Sequence, residues 1–285
     1  FAQTYQPLEI ILSDDCSPDR TYAIMQEMAA AYTGPHKVVL NRNEPNLRLA
    51  DHFNTIVQMM TGRYLVVAAG DDISQPDRCE IVTAPLRADT TLSCVSTAKL
   101  DIDETGHVCA QKGPAVPEQR VSLTDVVRHG NRTLLGASRC YRRSSLMAFP
   151  PLDRGCPTED STCRLRCLMT GDEQILPTCT VRRRMHAGNL SGADSLRKMN
   201  LDAIHDQYLA DARHAFAEGH ISAQDHKATV RWAKRQIALR KLNQRMSGDD
   251  APGLWSGLIC LARAKDIDPR IKLSGARMLL RKVLY

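Results

Sequence analysis

Two segments of the chain follow the same pattern. "LEIILSDDCSPDRT", residues 8–21, and "RYLVVAAGDDISQPDR", residues 63–78, each run from an unbroken apolar stretch straight into two adjacent carboxylates and then a turn. A short continuous apolar run bounded by turn residues suits a strand buried on both faces, which is how strands of parallel sheets read. Parallel strands need crossover connections, usually helices. In such sheets ligands sit beyond the carboxyl ends of the strands. Both Asp-Asp pairs stand at such ends, so the pattern constrains the fold class and the place of the site together.

The first hundred residues supply the alternation that this requires. Residues 8–13 read as a strand, 18–33 as a helix with Ser17 or Asp19 as cap, and 37–41 as a strand. Residues 47–61 read as a helix closed by Gly62, 63–69 as a strand, 76–87 as a helix and 92–100 as a strand. This order implies an α/β fold with a parallel sheet flanked by helices. The polar stretch 101–120 reads as a loop or small hairpin, 122–129 as a helix capped by Ser122, and 134–146 as a strand-like run. A helix is expected over 159–170, and short strands over 173–177 and 179–186. From about residue 195 the pattern turns helical, broken by "SGDDAPG" at 247–253. The expected division is a sheet domain over 1–194 and a helical extension over 195–285. The opening "FAQTYQPLEI" reads as the tail of a helix that began upstream, and hence the chain as an N-terminally truncated fragment.

With 43% apolar and 25% charged residues the composition is that of an ordinary globular protein. No apolar run approaches the roughly 20 residues of a membrane span. The ten cysteines include no C-x-x-C pair; the closest spacing is Cys163 to Cys167. That argues against structural zinc and reads as reduced thiols of a cytoplasmic protein. Charge is uneven. Residues 197–285 hold 17 Lys and Arg against 9 Asp and Glu, net +8, and residues 1–196 hold 21 against 23, net −2. A basic tail suggests an anionic surface as partner. "SGARMLLRKVLY", 274–285, is amphipathic and basic. It fits either peripheral contact with an anionic membrane or a helix docked with its basic face in water.

Adjacent carboxylates at a strand end can hold a hard divalent cation or accept hydrogen bonds from sugar hydroxyls or a base N–H. Magnesium commonly joins one or two protein carboxylates to substrate phosphates. Asp71 and Asp72 suit that role, with Gly70 allowing close approach to the backbone. The plainer reading is that one Asp of each pair caps the next helix. Asp14 is expected to be structural.

"QTYQPLEIILSDDCSPDRT" resembles the start of family 2 glycosyltransferases of the GT-A fold. "NLRLADHFNTIVQMMTGRYLVVAAGDDISQPDR" resembles the family's metal-binding block, "TEDSTCRLRCLMTG" its Glu-Asp block, and "RRRMHAGNLS" its later Arg-x-His-x-x-Asn-x-Ser block. The blocks stand in family order across residues 1–191. The resemblance implies a GT-A type, mixed but mainly parallel sheet flanked by helices. It also implies transfer of a sugar, with inversion, from a nucleotide-diphosphate donor to a glycan or lipid-linked acceptor. The donor is expected to be a UDP-sugar foremost, the cofactor Mg²⁺ or Mn²⁺, the setting surface polysaccharide synthesis in a bacterial cytoplasm, and no nucleic-acid partner is expected. It implies roles for Asp15 at the nucleotide base, Arg48 lining the base pocket, Asp71 and Asp72 at the sugar and metal, and Glu159 at the substrate. Asp160 would be the catalytic base, with Arg184 and His186 near the diphosphate.

Two departures from the family stand out. The usual Asp-x-Asp-Asp is Ala69-Gly70-Asp71-Asp72 here, without its first carboxylate. The family's first, central strand has no counterpart, so a gap or an exposed strand edge is expected there. Both favour an alternative reading, a noncatalytic anion- or membrane-binding module on the same fold. A nucleotidyltransferase shares the sheet and the metal logic. Arg182, Arg183 and Arg184 could equally be a basic edge guarding a strand.

Overall fold

The computed structural model describes residues 1–109, 116–129, 136–186, 189, 193–247, 273 and 276. The amphipathic tail 274–285, apart from residue 276, and most of the 247–253 break lie outside the described residues. No described helix is long and apolar enough to cross a membrane.

Strand β1 (Glu9–Asp14) leads through α1 (Thr21–Ala30) to β2 (Lys37–Arg42), and the two strands pair in parallel from Glu9↔Lys37 to Asp14↔Arg42. Helix α1 starts at Thr21, later than expected, after a turn in which the Asp19 carboxylate accepts from the Thr21 amide at 2.9 Å. Next come α2 (Arg48–Met59), β3 (Tyr64–Val66), β4 (Ile73–Ser74), α3 (Arg78–Ala88) and β5 (Leu92–Ile102). They are followed by β6 (Gln119–Val121), α4 (Leu123–His129), a 3-10 turn over Gly136–Ser138, β7 (Arg139–Arg142) and α5 (Arg143–Met147). Helix α6 (Asp160–Thr170), β8 (Asp172–Arg184), α7 (Ala193–Lys198), α8 (Leu201–Ala217) and α9 (Ala223–Ser247) complete the chain.

The main sheet runs β3-β7-β5-β8-β4, with β6 also on β8. Its longest ladder, β5 with β8, is parallel, and the shorter ladders are antiparallel, so the sheet is mixed with its parallel part at the centre. The β1–β2 pair is a separate sheet: no ladder joins β1 to β3. The expected gap lies there. Glu9 bridges its lower end, accepting from the Thr61 amide at 2.9 Å just before β3.

Three sequence expectations change. Residues 1–5 form no helix. Gln6 precedes Pro7, which disfavours helical backbone there, and Thr4 instead donates from its amide to Pro76 O at 2.9 Å. The two short strands expected over 173–186 are one strand, β8. Its register with β5 jumps from Thr97↔Leu176 to Ala98↔Cys179, so Pro177 and Thr178 sit in a bulge, where a missing donor costs no ladder bond. The run 134–146 is not one strand. It divides into the 3-10 turn, β7 and α5.

The largest core joins α4, α6, α8 and α9 through residues such as Val126, Leu165, Leu168, Ile204, Tyr208, Ala233 and Ile237. A second joins Ala50 and Phe53 of α2 to Tyr141, Cys163 and Cys167. A third lies between α3 and the sheet, around Val82, Leu86 and Val95. Helix α6 is buried on nearly every side, which holds its first residue, Asp160, in a fixed place. In contrast, Ile10, Ile11 and Leu12 of β1 are only half-buried, and α1 has no buried residue.

Candidate active site

The two Asp-Asp pairs are held in different ways. Asp14 is 2% exposed, and its Oδ2 accepts from the Ser17 amide at 3.1 Å, with Arg42 at 3.8 Å. It closes the turn after β1. Asp15 is half-buried. Its Oδ1 accepts from Asn43 Nδ2 and from the Leu47 amide, both at 2.9 Å, while Asn46 donates to its backbone oxygen. Among the described residues its Oδ2 accepts nothing, so the side chain is aimed and still has an open oxygen. Two non-glycine residues near it, Cys16 (φ 61°) and Arg48 (φ 66°), have left-handed backbone. Such strain persists only where surroundings impose it, and it clusters at binding sites. The Arg48 side chain itself is exposed; its amide donates to Asn46 Oδ1 at 3.0 Å, one residue from the amide that holds Asp15.

Beyond β3, Asp71 and Asp72 meet the end of β8. His186 Nε2 lies 2.9 Å from Asp71 Oδ2, and Asn189 Nδ2 reaches the same oxygen at 3.3 Å. Arg184 donates from its amide to Asp72 Oδ1 at 3.0 Å and from Nε to the Asp71 backbone oxygen at 3.2 Å. The rest of its guanidinium holds the backbone oxygens of Asp103 and Glu104. Arg183 is taken by Asp101 at 2.8 Å, and Arg182 is exposed. Asp71 Oδ1 and Asp72 Oδ2 accept no hydrogen bond among the described residues. Burial pushes the Asp72 carboxyl above its ordinary value, the adjacent Asp71 adds to this, and the Arg184 amide pulls the other way.

Hard oxygen donors of this kind suit Mg²⁺ or Mn²⁺. Among the described residues no three His, Cys, Asp or Glu side chains converge as a self-sufficient metal site. Asp71 and Asp72, with His186 alongside, fit an ion that takes its remaining ligands from a substrate diphosphate.

Asp160 opens α6. Its Oδ1 accepts from Thr158 Oγ1 at 2.7 Å, and its Oδ2 accepts nothing among the described residues. The carboxylate stands on the first residue of the helix. A Cβ on Gly136 would stand 2.4 Å from the Asp160 Cβ, so only glycine lets the 3-10 turn approach this closely. Glu159 is half-buried, and burial raises its pKa, with the Asp160 charge adding to the effect.

Buried arginines that the sequence did not flag tie these parts together. Arg78, 1% exposed, donates to Ser74 Oγ at 2.8 Å, to Val67 O at 2.6 Å and to Ala137 O, so it joins the segment bearing Asp71 and Asp72 to the turn against Asp160. Arg139, fully buried, donates to the Asp160 backbone oxygen at 2.8 Å and to Ser96 Oγ at 3.0 Å. Behind it Glu173 pairs with Arg164 at 2.6 Å and stands 3.9 Å from Arg139. Burial alone would raise the Glu173 pKa, but Arg164 and Arg139 outweigh it and keep the carboxyl ionised. Asn43, Arg78 and Arg139 carry no local sequence signal; Asn189 stood in a quoted block without being singled out.

The sequence profile of glycosyl transferase family 2 matches residues 1–147, just over half of the chain. EpsE of Bacillus subtilis strain 168, a protein named as a glycosyltransferase, is 38% identical over 172 residues, covering 60% of this chain and 60% of EpsE. The chondroitin synthase of Escherichia coli is 33% identical over 129 residues, 45% of this chain and 18% of that protein. The chain thus spans less than two thirds of either relative. Among solved structures, TarS 1–349 of S. aureus in complex with UDP-GlcNAc superposes with a TM-score of 0.54 at 13% identity, over 99% of this chain and 85% of that one. The mannosyltransferase PcManGT of Pyrobaculum calidifontis, in complex with GDP-Man and Mn2+, superposes with a TM-score of 0.57 at 17% identity, over all of this chain and 74% of that one. At these identities the likeness is one of fold.

Proposed function

This chain belongs to glycosyl transferase family 2, and from that premise we propose that it moves a sugar, with inversion, from a nucleotide-diphosphate donor to a hydroxyl of a glycan or lipid-linked acceptor. The observation that carries the reading is the meeting of His186 with Asp71 at 2.9 Å, where a late segment joins the carboxylates of the turn between β3 and β4. Support also comes from the open oxygens of Asp15, Asp71, Asp72 and Asp160, each on a side chain already fixed by other bonds.

In this reading Asp15 Oδ2 accepts from the base of the donor, a UDP-sugar foremost, and Arg48 flanks that base. Asp71 and Asp72 hold a divalent ion and the donor sugar or ribose. Bound there, Mg²⁺ or Mn²⁺ neutralises charge on the departing diphosphate. Arg184 keeps the Asp71–Asp72 backbone in place, and His186 faces the diphosphate. Asp160 takes the proton of the attacking hydroxyl as that oxygen bonds to the anomeric carbon and the bond to the diphosphate breaks, a role for which a fixed carboxylate within reach is sufficient. A single in-line displacement inverts the anomeric centre. Glu159, beside it, contacts the substrate. The domain division at 194/195 and a peripheral membrane contact through 274–285 belong to the same reading. So does a cytoplasmic setting, which the described cysteines suit because they form no disulfide.

Calorimetry of nucleotide sugars with Mn²⁺ tests this. A UDP-sugar should bind with Mn²⁺ and lose affinity with EDTA. Asp15→Ala should weaken it roughly tenfold or more, the worth of a hydrogen bond to a charged group. Binding to anionic vesicles by a protein that takes no nucleotide sugar would overturn the reading in favour of the noncatalytic module.

A further inference from the structure

A second cleft opens beside the first turn of α6. Ser161 and Arg164 of α6, Tyr208 of α8, and Trp232, Gln236 and Arg240 of α9 line a small, partly open cleft of about 40 Å³. Its polar wall is rich in donors that lack acceptors. Trp232 Nε1 is buried without a hydrogen-bond partner. Arg240 is half-buried and has no carboxylate partner among the described residues, whereas Arg164 is committed to Glu173. The Ser161 hydroxyl is buried near that of Tyr208 but makes no well-formed hydrogen bond. The Tyr208 and Trp232 rings stand 5.5 Å apart, tilted by 41°, and give the cleft aromatic faces.

Buried donors are costly when left unpaired, so an unpaired indole N–H and a guanidinium on one cleft favour an occupant that brings acceptors and negative charge. Aromatic faces favour a flat or ring-shaped body attached to that charge. The position narrows the choice further. Ser161, on the cleft wall, directly follows Asp160 in α6. A base must touch the attacking hydroxyl, so the remainder of the acceptor lies near this turn.

We propose that this cleft binds an oxyanion carried by the acceptor, either the carboxylate of an acidic sugar or the phosphate of a phosphorylated carrier. The proposal rests on the assignment of Asp160 as base and adds the chemical class of the acceptor. Acceptor choice then depends on α9, well outside the residues that match the family profile.

Titration of the full-length protein with glucuronate, glucose 1-phosphate and glucose, with and without saturating UDP and Mn²⁺, tests it. At least one anion should bind roughly tenfold more tightly than glucose whether or not UDP is present, and the tighter one names the source of the charge. Arg240→Gln should remove that advantage. Trp232→Phe, which keeps a ring and loses the N–H, should weaken the anion without changing UDP affinity. Equal binding of glucose and both anions, or anion affinity unchanged in Arg240→Gln, would overturn the proposal and leave the cleft a water-filled space. Anion binding at Arg240 in a protein that takes no nucleotide sugar would sustain the oxyanion site and overturn the transferase reading instead.

Discussion

The β1–α1–β2 unit and the α4–α6–α8–α9 cluster are built on opposite terms. The first presents Asp15 on a sheet of two strands whose apolar residues are half-buried, beside a helix that exposes Ile24 (47%) and Met28 (53%). Its ion pairs, Arg20 with Glu27, Lys37 with Glu9 and Arg42 with Asp14, each have a cation exposed to water. The second presents Asp160 on a helix sunk in the largest core. There Arg166 and Asp211 make a bidentate pair, both bonds at 2.8 Å and both side chains nearly closed to solvent. The difference teaches where rigidity is invested. Asp160, the proposed base, is fixed by the fold, whereas Asp15, proposed to meet the nucleotide, is fixed by a few Asn and amide bonds to one carboxylate oxygen. Stability therefore resides mostly in the helical half, and ligand adds to the other half by mass action.

The largest effect expected from testing this contrast is at the buried pair. Asp211→Ala leaves Arg166 uncompensated and should cost about 3–5 kcal/mol in urea unfolding. The matched cut in the first unit, Lys37→Ala, should cost under about 1 kcal/mol, because solvent screens that pair. Similar losses at the two places would break the contrast. Core truncation comes next. Ile204→Ala, at a fully buried position, should cost about 2–5 kcal/mol, and Ile11→Ala about 1 kcal/mol.

These regions also differ in how far the sequence disclosed them. Strand β1 and its terminal Asp14–Asp15 were legible because an apolar run and its carboxylates lie together in the chain; the same pattern marked β3, which stops at Val66 and leaves Asp71 and Asp72 in the turn before β4. The helix opened by Asp160 was legible for the same local reason, as was the Ser122 cap, which accepts from the Asp125 amide at 3.2 Å. The gap beside β1 followed from comparing blocks in order. The Arg139–Glu173–Arg164 network was not legible, since a charged residue in a strand or helix pattern reads as solvent-facing until its distant partner is known. Arg78 escaped notice for that reason too. Continuity of β8 was hidden by Pro177, which reads as a strand end unless the bulge that accommodates it is seen.

The smallest expected effect concerns Asp72. Its folded pKa is raised above the ordinary 3.8, chiefly by burial, so the unliganded fold disfavours its charge relative to the unfolded chain. Its contribution to stability is greatest below the ordinary value and is lost as pH rises through the raised one. Asp72→Asn should therefore raise the melting temperature of the unliganded protein at neutral pH by about 2 °C, a small shift for a screened, partly exposed group. It should also abolish the stabilisation that Mn²⁺ and UDP give. A fall in melting temperature would mean that Asp72 is held for the fold rather than for a ligand.

The central claim is that a carboxylate fixed by the buried half acts on a substrate gathered by the open half. The most direct test is single-turnover transfer by Asp160→Asn, using the donor found by calorimetry, with donor affinity measured on the same sample. Transfer should fall by about 10²–10⁴-fold while UDP binding with Mn²⁺ stays as in the unaltered protein. Undiminished transfer in that variant would contradict the claim.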